Sequence, residues 1–273
     1  MLRNSLIVIV SLLAAQAYAG TETQNWTFNG SNISGNGNGN SINLASGDVT
    51  LTITGWSNTG RYNTLETGTL GYDNGYGLTL KNRDEGTWSP DHSIDSFYNS
   101  NVDAILLEFN KAVNLDHLGI GWATDGSGGG SGAVDISIAA YTGSNADYTN
   151  FYNTNTNTWG ELLSNGWKGV NTVNNNSDDD FLDMEDYTYH AIDTGTVTSK
   201  YWLVSAYNPL FGDYSSYAGS ENDGFKLTGL SSEYTKKEEQ EKPPGIPEPS
   251  TIAMFAFGLF SLVRMRKEKH ISL

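Results

Sequence analysis

Val49-Thr50-Leu51-Thr52-Ile53-Thr54 alternates apolar and hydroxyl side chains with a period of two. In an extended chain that spacing puts Val49, Leu51 and Ile53 on one face and the threonines on the other, so the stretch is predicted as a half-buried strand. Val134-Asp135-Ile136-Ser137-Ile138 repeats the pattern. Ala104-Ile105-Leu106-Leu107 and Tyr201-Trp202-Leu203-Val204 are unbroken apolar runs, expected as strands covered on both faces. Gly224-Phe225-Lys226-Leu227 is expected to be the last strand. Asp73-Asn74-Gly75, Asp125-Gly126 and Asp223-Gly224 supply turn chemistry between the runs. Helical periodicity is missing from every long stretch, and Trp159 to Leu163 allows one turn. The fold expected is all-β, a single antiparallel β-sandwich of jelly-roll type over residues 20–232.

Composition narrows the partners. The chain has 273 residues, 31 glycines and no cysteine, so turns are plentiful and thiol or zinc–thiolate chemistry is excluded. Net charge is −16, and both ends are basic, so the middle is more acidic still. Such a surface repels phosphate, which argues against nucleic acid and for cations as counter-charge. The Gly/Asn/Ser tract from Asn29 to Asn43 and the Gly/Ser tract from Gly126 to Gly132 are expected to be loops.

The two ends carry addressing signals. Arg3, a short apolar run from Leu6 to Ala15, and Ala17-Tyr18-Ala19 form a secretory signal over 1–19, with signal peptidase cutting before Gly20. At the other end Pro247-Glu248-Pro249 precedes an apolar span over 251–263, closed by the basic stop Arg264, Arg266 and Lys267. Basic residues at that place would remain on the cytoplasmic side of a membrane. The span is short, expected as a brief transmembrane helix. Between domain and tail, residues 233–246 mix charge with Pro243-Pro244 and are expected to be a solvated linker.

Pro247, Glu248 and Pro249, with the short span and basic stop that follow, resemble the PEP-CTERM sorting signal over 247–273. The resemblance implies recognition and trimming by the membrane protease-transpeptidase exosortase, and hence an exported bacterial protein, anchored in the membrane transiently and finally at the cell surface or outside it. The blocks Asp103-Ala104-Ile105-Leu106-Leu107-Glu108-Phe109, Gly119-Ile120-Gly121-Trp122 and Tyr201 to Pro209 are also similar to a family of exosortase-dependent surface proteins. That likeness implies a surface or matrix role, structural or adhesive in extracellular polysaccharide or biofilm, and no known catalytic activity.

Residue chemistry leaves alternatives. His92, Asp95, Asp125, Asp135 and Asp213 are candidate oxygen and nitrogen ligands for Ca²⁺, because they sit by predicted turns; no other cofactor is expected. Asp178 to Asp186 is a second acidic cluster. His92, His117, His190 and His270 stand apart, and no G-x-S-x-G elbow is present, so the protein is expected not to be an enzyme. His117, beside Leu115 and Leu118, is expected at a strand edge. Trp56, Trp88, Trp122, Trp159, Trp167 and Trp202 could stack on sugars in a carbohydrate-binding module, although Trp122 and Trp202 lie in apolar strands and are expected to be buried. Paired carboxylates would also suit a polysaccharide hydrolase.

Overall fold

The computed structural model describes residues 19–86, 93–97, 101–125, 134–144, 158–170, 182–184, 188–192, 194–211, 223–237 and 254–260. The β-domain spans Thr21–Lys236. Its strands begin with β1 (Ala19–Thr27), β2 (Ile33–Ser34), β3 (Ser41–Ser46), β4 (Val49–Gly60) and β5 (Thr64–Thr67). There follow β6 (Thr69–Asp73), β7 (Gly77–Lys81), β8 (Ile94–Asp95), β9 (Asp103–Asp125) and β10 (Val134–Tyr141). The helix α1 (Trp159–Ser164) precedes β11 (Trp167–Gly169), β12 (Leu182–Met184), β13 (Thr188–Ala191), β14 (Ser199–Ala206) and β15 (Asp223–Lys237).

The strands form two hydrogen-bonded groups that are joined into one large antiparallel sheet. The reason is β9, which is 23 residues long and serves both parts. Its first residues, Asp103 to Phe109, lie between β4 and β14, with β3 beyond β4 and β10 beyond β14. From Asn114 onward it pairs with β15, while His117 to Ile120 also meets β13. Pairing with β14 slips between Glu108 and Val113, and a bulge of this kind bends a strand and re-aims its side chains. Every ladder with a defined register is antiparallel, as expected.

Alternation decides which side chains go where. Val49, Leu51 and Ile53 of β4 are buried in one core with Ile105 and Leu107 of β9, Trp202 and Val204 of β14, and Leu227 and Leu230 of β15. The intervening residues Ala104, Leu106 and Leu203 pack on the opposite face with Trp56, Tyr141 and Phe211. Helix α1 covers this second face with Trp159 and Leu162. Its start is set by a capping box in which Thr158 and Glu161 satisfy each other's backbone N–H groups. The dense apolar runs are therefore covered on both faces, as their composition predicts.

Several local expectations fail for identifiable reasons. Part of the Asn29–Asn43 tract is structured: β2 and β3 form a hairpin, and Asn40 stands in for a backbone partner by donating to the Leu70 carbonyl at 2.8 Å and accepting from its N–H at 2.7 Å. Asp223-Gly224 opens β15 instead of making a turn, because Gly224 pairs with Asp95 and a Cβ there would lie 2.7 Å from the Phe97 ring. The last strand also runs to Lys237, into the segment read as linker: Glu233 pairs with Asn114, and Lys236 reaches Glu22 at 3.6 Å, just beyond the hydrogen bond of 3.0 Å that Trp26 of β1 donates to the Ser232 hydroxyl. Trp202 is buried, but Trp122 is only partly covered, with Lys226 5.1 Å above its ring. His117 is not at an edge, since β13 and β15 flank it.

Leu107 is fully buried on the inner face, whereas Thr50, one strand away, is exposed. Leu107→Ala is expected to cost about 2–5 kcal/mol in urea unfolding, and Thr50→Ala under about 0.5 kcal/mol.

Candidate functional site

Asp103 shares the inward phase of β9 with Ile105, Leu107 and Phe109, so the same alternation that buries three apolar residues buries a carboxylate. Asp95 of β8, also buried, and Glu85, in the segment after β7, converge on it, with carboxylate oxygens of all three within 4.8 Å of one another. Asn82 organises the group: its backbone N–H donates to Glu85 Oε2 at 3.0 Å, and its side-chain amide donates to Glu85 Oε1 at 2.9 Å and Asp103 Oδ1 at 3.0 Å. Ser93 donates to Asp95 Oδ2 at 2.6 Å, and the Phe97 N–H reaches Asp95 Oδ1 at 3.4 Å. Asp103 Oδ2 and the buried hydroxyl of Ser57, its cross-strand neighbour on β4, lie near each other without a well-formed hydrogen bond to each other or to another group.

Burial pushes the Asp103 carboxyl well above the ordinary carboxylate range, and the charges of Asp95 and then Glu85 push it further. Asn82 and Ser57 oppose this more weakly. Three converging carboxylates in a buried site either share a proton or neutralise one another through a cation.

The sequence-derived ligand set is divided. Asp95 belongs to this group. Asp125 and Asp135 come instead to Asp223, which is opposite Asp125 in register and accepts from the Asp135 N–H at 3.1 Å. His92 and Asp213 lie outside the described residues, as do Asp178 to Asp180; Asp183 is in β12. Glu85, Asp103 and Ser57 were missed. The available signal was an Asp in the buried phase of an apolar strand.

Elsewhere, His117 Nδ1 lies 2.6 Å from Asp116 Oδ2 and 3.2 Å from the Ser231 hydroxyl, which itself donates to Asp116 at 3.1 Å. A serine nucleophile needs its base on the far ring nitrogen, with the carboxylate on the near one. Here serine and aspartate crowd the same nitrogen, so the trio is a closed hydrogen-bond triangle across β9 and β15.

At the C-terminal end, residues 254–260 form a short helix whose Met254, Phe255, Phe257, Leu259 and Phe260 are exposed. Among the described residues no helix is long and apolar enough to cross a membrane. Pro247, Glu248, Pro249, Arg264, Arg266 and Lys267 lie outside the described residues but inside a matched stretch, since residues 245–267 match the PEP-CTERM protein-sorting motif. The chain carries a PEP-CTERM sorting signal. No curated protein and no solved structure matches the chain. The PEP-CTERM signal makes exosortase the processing partner and indicates export, passing membrane anchorage, and delivery to the cell surface or beyond. At the other end Ala17 lies outside the described residues, and Ala19 and Gly20 open β1.

The raised Asp103 value has a definite sign. The folded domain holds a proton that the unfolded chain releases, so stability falls as pH climbs from the ordinary carboxylate value through the raised one. Chelator-treated parent is expected to gain on Asp103→Asn as pH drops through that window, by at most about 1.4 kcal/mol per pH unit. Urea midpoints at stepped pH check this; a constant difference between the two proteins would count against the raised value.

Proposed function

We propose that the exported domain is a structural or adhesive component of the cell surface or its polysaccharide matrix and carries out no catalysis. The observation behind this is the PEP-CTERM match at 245–267, which supplies delivery without chemistry. The acidic composition supports the reading, because a hydrated negative surface can be bridged to anionic or neutral polymer through cations. The Asp116–His117–Ser231 triangle supports it too, as its geometry does not suit acyl transfer. The likeness of the β9 and β14 blocks to exosortase-dependent surface proteins belongs to the same reading, as do cleavage before Gly20 and membrane insertion of the apolar span 251–263.

A second reading, a carbohydrate-binding module, is favoured by one cleft on the α1 side of the sheet. Asn58, Ser96, Trp159, Tyr207, Asn208 and Leu210 line a space of about 130 Å³. Trp159 Nε1 and Asn208 Nδ2 are buried donors without partners, and sugar hydroxyls would suit them. A row of exposed tryptophans is not what supports this reading: Trp56, Trp159, Trp167 and Trp202 are all buried, Trp122 is partly covered, and Trp88 lies outside the described residues.

Mass spectrometry of the protein from its native host should find an N-terminus at Gly20 and a C-terminus near Pro247-Glu248-Pro249. Replacing those three residues with alanine should leave the tail attached. Wild-type protein still ending at Leu273 would overturn the sorting step. For the second reading, calorimetric titration with the host's own polysaccharide should give heat that Trp159→Ala abolishes; absence of heat in the parent removes that reading.

A further inference from the structure

We infer that Glu85, Asp95 and Asp103 form a binding site for one calcium ion that joins β4, β8, β9 and the segment after β7. The spacing fits a hard cation: an ion that takes oxygens at 2.3–2.6 Å holds them no more than about 5 Å apart, and the three carboxylates lie within 4.8 Å of one another. All the donors are oxygen, the set that calcium prefers over softer metals.

The cluster alone would not distinguish a cation site from an acidic patch; the buried polar atoms around it do. Asp103 is inaccessible to solvent, and its Oδ2 and the hydroxyl of Ser57, equally buried and opposite it in register, lie near each other without a well-formed hydrogen bond to each other or to another group. Burying polar atoms without well-formed hydrogen bonds is unfavourable, so two of them at the point where carboxylates converge mark a place for a ligand. Asn82 holds Glu85 and Asp103 together before any ion arrives, using an amide that bridges the two carboxylates. Glu85 is the partly exposed member and supplies the entry side.

Bound calcium would cancel the mutual repulsion of the carboxylates and fasten the start of β9 to three neighbouring segments. The site belongs to the β-domain itself and does not rest on the matrix role. Its position also accounts for the division of the sequence-derived ligands, since Asp95 is the member that the strand pairing carries to Asp103.

The test uses the full chain in non-ionic detergent, freed of metal with chelator and returned to 0.15 M KCl at neutral pH. Calcium chloride at a hundredfold excess over Kd should raise Tm by about 5–10 °C, and titration calorimetry should give one ion per chain. Glu85→Gln, the partly exposed position, should lose most of the shift while keeping the parent's circular dichroism; Asp103→Asn should lose all of it. An unchanged parent Tm would mean that the group is neutralised by protons and would overturn the site. A shift preserved in both variants would place the ion elsewhere, and an equal response to magnesium would overturn the assignment to calcium.

Discussion

Asp103 to Asp125 has to satisfy backbone hydrogen bonds on both edges for most of its length, and the rest of the domain is arranged around that requirement. Its first stretch finds β4 and β14; its later stretch finds β15 and β13. Because one strand is common to both parts, the inner faces of both close on a single core. The slip in pairing between Glu108 and Val113 lets one strand change neighbours without breaking.

The same strand links stability to the acidic site. Period-two geometry gives Asp103 the orientation of Ile105 and Leu107, so a charge is carried into the interior by the residues that make the core. Burying a carboxylate that way is unfavourable unless it is neutralised. The neighbouring groups Asp95 and Glu85 aggravate the problem, and Asn82 relieves it only in part.

Delivery and folding use separate parts of the chain. The sorting match occupies 245–267, and the β-domain ends at Lys236. Strand β15 consumes residues that mixed charge had suggested were linker, because pairing with β9, as at Glu233 and Asn114, outweighs poor strand propensity. Asn40 makes the same point within a low-complexity tract: its side chain supplies the hydrogen bonds that a backbone partner would have made to Leu70.

By itself the sequence determined the class of fold and the address. Alternation at Val49 to Thr54 and at Val134 to Ile138, and the dense runs at Ala104 to Leu107 and Tyr201 to Val204, are local patterns that extended geometry reads directly, and Pro247-Glu248-Pro249 with its basic stop is a contiguous signal. Tertiary structure alone decided that one strand, β9, is shared by both groups of strands, that Asp223-Gly224 pairs instead of turning, and which carboxylates meet. Glu85, Asp95 and Asp103 come from three separate segments, and the registers of β8 on β15 and of β15 and β4 on β9 set their relations. Registers are chosen by the whole set of cross-strand contacts, which no local window of residues contains.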